Sequence, residues 1–104
     1  MQTARPAVPE LSYGERAQRE AQRVAQIRQL LRAGNGQTAL QALSALEREV
    51  SLSLLRQERD ALRIDALIML GRIAEASGLA QRFRKHYPKS PLLARWANSA
   101  AQGE

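Results

Sequence analysis

The sequence predicts an all-α domain of two helical hairpins followed by a short C-terminal helix, and three observations carry that expectation. A phrase occurs twice, 37 residues apart: Ile27-x-x-Leu30-Leu31-x-x-Gly34-x-x-x-x-Ala39 returns as Ile64-x-x-Leu67-Ile68-x-x-Gly71-x-x-x-x-Ala76, and Leu46 answers to Phe83. Self-similarity at such a period marks stacked supersecondary units, none of which can bury its apolar face alone. The hydrophobic content of 44% is drawn mainly from Ala and Leu, with one Phe, one Trp and two Tyr, a palette that favours helices over sheets. Glycine and proline fall between the apolar runs, at Gly34, Gly71 and Pro88, where helices should end. At 104 residues the chain has room for one domain with one modest core.

Residues 1–11 contain Pro6 and Pro9 and little apolar content, which reads as a flexible leader before a single domain over 12–104. Ser12, with Glu15 three residues on, is the expected N-cap of the first helix. Val24, Ile27, Leu30 and Leu31 give that helix its apolar stripe, and Gly34 is placed to stop it in the left-handed conformation. Its first half offers the core only Ala17 and Ala21. Charge pairs at helical spacing, Glu15 with Arg19 and Arg16 with Glu20, are expected to support it, each worth ~0.2–0.5 kcal/mol.

After the Gly34-Asn35-Gly36 turn, Ala39, Leu40, Leu43, Leu46 and Val50 mark a second amphipathic helix over about 37–50. So short a turn forces the two helices antiparallel. Ser51 and Ser53 mark the next break. A third helix over about 54–70 carries Leu55, Leu62, Ile64, Leu67, Ile68, Met69 and Leu70, and its last two turns are apolar nearly all round, as in an element covered on both sides. Gly71 ends it. The fourth helix runs from Ile73 to about His86 with Ala76, Ala80 and Phe83 inward, and Pro88 closes it. Gly78, inside this helix, is read as a point of close helix approach, with a local kink as the alternative. Ser90 and Pro91 then start a fifth, short helix carrying Leu92, Leu93, Trp96, Ala97 and Ala100, which should cap the second hairpin. The expected core is Ile27, Leu30, Leu31, Leu43, Leu46, Leu62, Leu67, Leu70 and Phe83.

With no cysteine, the chain has no disulfide, thiolate metal site or thiol nucleophile. The longest unbroken apolar run, Ala66 to Leu70, is far short of the roughly 20 residues a spanning helix needs, and no cleavable signal pattern follows Met1, so a soluble chain is expected. The net charge is +6 with a pI near 11.0, and arginine supplies 14 of the 16 basic residues. This basicity reads either as attraction to nucleic acid or anionic lipid, or as an arginine-biased solvated surface. No basic run is continuous and none is interleaved with aromatics or glycines, which favours the solvated surface.

Chemistry has few candidates. The one histidine, His86, stands at a helix end beside Arg82, Arg84 and Lys85, with no nucleophile or orienting group at hand. Asp60 and Asp65 are five residues apart and point in different directions from one helix, which does not make an acid/base pair. No metal-ligand spacing occurs. Neither catalytic residues, a metal nor a cofactor is expected, and the chain reads as non-enzymatic.

The repeated phrase, Leu30-Leu31-x-x-Gly34-Asn35 through Ala39-Leu40 and Leu67-Ile68-x-x-Gly71 through Ala76, Phe83 and Tyr87-Pro88, resembles the tetratricopeptide repeat family. Tyr87-Pro88-Lys89-Ser90-Pro91 is similar to the junction between repeats in bacterial cell-envelope members. Together with Leu62-Arg63-Ile64-x-Ala66-Leu67-x-x-Leu70-Gly71-Arg72 it resembles the C-terminal repeat regions of bacterial membrane-anchored sigma-regulatory proteins. The sequence departs from the family in its longer period, in Ile27 and Ile64 where small residues are usual, and in Ser51 where the first unit usually ends in proline. The resemblance implies a right-handed αα-superhelix with a peptide-binding face. It also implies a protein or peptide partner, with self-association as a further possibility, and a larger bacterial envelope or regulatory protein as the setting, leaning to the periplasm or a membrane-associated location, with the cytoplasm as the alternative.

On the same resemblance, the groove-lining face falls on Val24, Arg28, Leu31 and Arg32 in the first unit and on Glu58, Ala61, Asp65, Ile68 and Met69 in the second. Arg28 and Arg32 could grip a carboxylate with the planar guanidinium fork. Alternatively they serve solubility, or Arg28 pairs with Asp65 across neighbouring helices. The competing reading is a small basic nucleic-acid binder using Arg82, Arg84, Lys85, Lys89 and Arg95, a stretch that contains no acid.

Overall fold

The computed structural model of the chain describes residues 12–49 and 55–96, and the regular structure among them is entirely helical. Helices α1 (Tyr13–Arg32), α2 (Gly36–Glu49), α3 (Arg56–Met69) and α4 (Ile73–His86) are followed by a 3₁₀ helix, Pro91–Trp96. The expected leader at 1–11, Val50, the break at Ser51 and Ser53, and Ala97 and Ala100 lie outside the described residues. The expected fifth, short helix is present and its described part is 3₁₀, and α3 begins at Arg56 with Leu55 as its N-cap.

Local chemistry sets the helix ends. Ser12 and Glu15 form a reciprocal capping box: the Ser12 N–H donates to Glu15 Oε1 at 2.8 Å and the Glu15 N–H to Ser12 Oγ at 3.0 Å. At the other end of α1, Gly34 takes φ 83°, the Gly34 N–H donates to Leu31 O at 3.0 Å, and the Asn35 N–H donates to Leu30 O at 2.8 Å. Gly71 repeats this arrangement 37 residues later. Its φ is 76°, the Gly71 N–H donates to Ile68 O at 3.0 Å, and the Arg72 N–H donates to Leu67 O at 2.9 Å. Both are Schellman motifs, in which a left-handed residue without Cβ lets the chain turn back onto the last carbonyls. The repeat in sequence is thus a repeat in hydrogen bonding.

Antiparallel pairs α1/α2 and α3/α4 follow from those turns, and α3 packs against α1, α2 and α4. Its central place shows in its burial: Ala61, Leu62, Ile64, Ala66 and Leu67 are buried around the whole helix circumference. Val24, Ile27 and Leu31 of α1 meet Ala39, Leu40, Leu43 and Leu46 of α2 in the same core, which Ala76, Ala80 and Phe83 of α4 complete. Leu30 and Leu70, expected in the core, are only half-buried at its edge. A Cβ built on Gly36 would lie 3.1 Å from Leu70 Cγ and 3.3 Å from Ala66 O, so the first hairpin's turn abuts the end of α3. The close approach expected at Gly78 is instead found there. Gly78 is exposed, with no neighbour within 4 Å of its would-be Cβ.

Two polar residues penetrate this core. Glu20 of α1 is 3% exposed and Arg59 of α3 is 6% exposed, and Arg59 Nε lies 3.2 Å from Glu20 Oε2. Glu47 of α2 approaches the same guanidinium at 3.7 Å and that of Arg63 at 2.9 Å, so one charge cluster joins three helices. Ala17 and Ala21 were the expected inward residues of the first half of α1. Ala21 is exposed, and Glu20 takes the inward position because 20, 24, 27 and 31 continue one helical stripe.

The 3₁₀ helix closes the second hairpin through aromatics. Trp96 is buried with its ring edge-on to Phe83 at 5.0 Å, and Tyr87 meets the same Phe83 at 4.7 Å. Pairs of this geometry contribute ~0.5–1.5 kcal/mol beyond their buried area.

Candidate functional site

The face assigned by the family resemblance divides once its residues are placed. Val24, Leu31 and Ala61 belong to the core. Arg28 pairs with Glu58, Nε to Oε2 at 3.0 Å, and not with Asp65. Asp65 is held by the 3₁₀ helix: the Trp96 Nε1–H donates to Oδ1 at 2.7 Å, and Arg95 pairs with Oδ2. Ile68 is half-buried, whereas Arg32 and Met69 are exposed, Met69 at 44%. Ile73, 42% exposed just beyond the α3–α4 turn, adds a second apolar side chain near that end of α3.

The two ion pairs are related by the repeat. Arg28 joins Glu58 thirty residues on, and Asp65 joins Arg95 thirty residues on, each step being 28 to 65 and 58 to 95, or 37. Charge signs are exchanged between the two, but the register is the same. The 3₁₀ helix is thus tied to α3 at the same sequence register as α3 is tied to α1. This relation was invisible in the sequence because arginine and acid swap positions.

The basic patch also divides. Arg82, Arg84, Lys85 and Lys89 are exposed and make no ion pair among the described residues, whereas Arg95 is neutralised by Asp65. His86 sits at the end of α4 and its Nδ1 lies 2.9 Å from Arg82 O. The carbonyl can only accept, so Nδ1 carries the proton in this contact.

A cleft of about 240 Å³, open to solvent, runs along the seam of the second hairpin. Arg56, Asp60, Arg63 and Ile64 line it from α3, at helical spacing along one side. Leu79, Arg82, Phe83 and His86 line it from α4, and Tyr87 closes one end. Burial pushes the Asp60 carboxyl up from its ordinary value, against the opposing pull of Arg56 and Arg59. Burial, and then the nearby Asp60 charge, push the Tyr87 phenol up as well. The Tyr87 hydroxyl reaches Asp60 Oδ2 only at 3.5 Å, too far for a strong bond. Sequence reasoning did not find this cleft, because its walls come from two helices and only Arg82 among its residues stood in a proposed site.

No group of three or more His, Cys, Asp or Glu that could hold a metal ion occurs among the described residues, and none of their helices is long and apolar enough to cross a membrane. Comparison with known proteins returns no matching family model, no matching curated protein and no matching solved structure.

Proposed function

We propose that this chain is a non-enzymatic protein–protein interaction module, a pair of tetratricopeptide-like hairpins stacked in a right-handed superhelix and closed by a C-terminal cap. The observation that carries the reading is the inter-helix clasp that recurs at 37 residues, Arg28 with Glu58 and Asp65 with Arg95. A clasp repeated in register supports stacking of successive units, which is how repeat proteins build extended binding faces. The leading helices α1 and α3 pack together. Their outer face offers Arg32, Met69 and the half-exposed Arg28 to a partner whose charge sets register and whose apolar contacts supply affinity. The resemblance of the segment from Tyr87 to Pro91 to envelope-type repeat junctions supports a place in a larger bacterial envelope or regulatory protein.

Affinity capture from the source cell tests this. Since Arg28 is engaged by Glu58, the informative variant is Arg32→Glu with Met69→Ser, both at exposed positions. Capture should weaken at least tenfold, about 1.4 kcal/mol, while Arg84→Glu with Lys85→Glu leaves it unchanged. The reverse pattern would remove the α1/α3 face from the account.

A second reading is a nucleic-acid-binding helical domain, favoured by the exposed Arg82, Arg84, Lys85 and Lys89, which make no ion pair among the described residues. Phosphate neutralisation by these residues would appear as a steep fall of affinity for duplex DNA or RNA with rising salt. Binding without that slope, or none, removes it.

A further inference from the structure

The seams of the two hairpins differ in a way that bears on binding. In the first hairpin, Arg23 of α1 and Glu49 of α2 close the seam with a forked ion pair, at 2.6 and 3.4 Å. The residues 37 positions on are Asp60 and His86. Both line the cleft of the second hairpin, and no hydrogen bond or ion pair joins them among the described residues. What is bolted in one unit is open in the next.

The opening is positively charged. Arg56, Arg63 and Arg82 face one carboxylate, Asp60. Arg63 is engaged by Glu47 at 2.9 Å, but Arg56 and Arg82 make no ion pair among the described residues. Leu79, half-buried on the α4 wall, lends the cleft apolar surface between these charges. Its volume, about 240 Å³, lies below the ~300–1,000 Å³ of pockets that enclose whole small ligands. It suits a side chain or two of a longer partner.

We propose that the α3–α4 cleft is a docking site for an acidic peptide segment. A carboxylate is held between the Arg56 and Arg82 guanidiniums, and an adjacent apolar side chain lies against Leu79. Planar guanidiniums grip carboxylates through paired N–H donors, so two arginines on opposite walls of the cleft, without ion pairs among the described residues, recognise such a group with directional preference. Nucleic acid fits less well. Single strands bind through aromatic faces open for stacking, whereas the Phe83 ring is buried under Tyr87 and Trp96. The cleft also lies away from the α1/α3 face. At about 100° per residue, Arg56, Asp60 and Arg63 fall roughly 140–200° around α3 from Glu58 and Asp65.

The proposal rests on the reading of the chain as an interaction module and adds to it a second site with a stated partner chemistry. Its test uses the full chain, isotopically labelled, and an acetylated, amidated peptide of sequence Glu-Leu-Phe-Glu-Leu. The controls are the same peptide with Gln for Glu, and a short oligothymidylate. Backbone amide shifts on titration should concentrate at 56–64 and 79–87, and the Gln peptide should bind at least tenfold more weakly. Arg82→Glu, and more mildly Arg82→Gln, should weaken the acidic peptide by a similar factor with helical circular dichroism unchanged. Arg48→Glu, at an exposed position of α2, should not affect it. Shifts confined to α1 and the outer face of α3 would overturn the cleft and keep the interaction module. Equal affinity for the Gln peptide, or no binding of either peptide, would overturn the cleft alone. Tighter binding of the oligothymidylate at the same residues would overturn both readings.

Discussion

Replacing Glu20 by Gln isolates the charge that holds α1 to α3. The Glu20 and Arg59 side chains are 3% and 7% exposed, and Arg59 Nε lies 3.2 Å from the Glu20 carboxylate. Removing one member of a buried pair costs ~3–5 kcal/mol, because the other charge is left without compensation. Here the lower end applies: Glu47 remains 3.7 Å from the Arg59 guanidinium, and Gln keeps the size and an acceptor oxygen. About 3 kcal/mol is a large share of the ~5–15 kcal/mol that holds a small domain folded. At ~4–8 °C per kcal/mol for a domain of this size, the melting temperature should fall by about 12–24 °C in calorimetry or far-ultraviolet circular dichroism. Replacing both partners, Glu20→Met with Arg59→Leu, should restore stability to wild type or above, since apolar pairs of similar volume match or exceed buried ion pairs. A fall below about 4 °C for Glu20→Gln, or a double variant that melts lower than the single one, would refute the reasoning.

Three further outcomes follow from particular residues. Asp65→Ala strips the buried Trp96 indole N–H of its acceptor and Arg95 of its partner. It should cost ~1–3 kcal/mol and loosen the 3₁₀ helix, read as a red shift of tryptophan emission; unchanged emission and stability would show that the clasp contributes nothing. Gly78→Ala, at an exposed helical position with open space around it, should stabilise the fold by ~0.8–1 kcal/mol in urea denaturation, and a loss would restore the close-approach reading. Burial raises the Asp60 carboxyl in the folded chain, so the folded state binds this proton more tightly than the unfolded one. The resulting stability is present below the ordinary value near 3.8 and is lost as pH rises through the raised one. A carbon-detected titration should place the Asp60 midpoint above 3.8, Asp60→Asn should be relatively more stable at neutral pH, and a midpoint below 3.8 would contradict the burial argument.

What the sequence made legible is what local bonds decide. The Ser12–Glu15 box spans four residues, and each glycine-terminated turn spans six, so residue identity alone fixes them. Core positions such as Ile27, Leu43, Leu62 and Phe83 follow from periodicity. The missed features are pairings between helices. Arg28 was weighed against Asp65, but Glu58 is the acid that packing brings to it. Charge alone does not distinguish two carboxylates on the same side of one helix. Glu20 was read as a surface partner of Arg16 because a carboxylate on an apolar stripe looks like an interruption. It is the stripe's continuation, and Arg59 makes its burial tolerable. Gly78 shows the converse limit, since a helical glycine signals contact only when a neighbour is near, as at Gly36.

The most direct test of the central claim, that the stacked leading helices dock a protein, is hydrogen–deuterium exchange of the chain with and without its captured partner. The account predicts slowed exchange on α1 over 24–32 and on α3 over 61–69, unaffected by nuclease treatment of the complex. Protection confined to 84–89, or protection that disappears with nuclease, would contradict it.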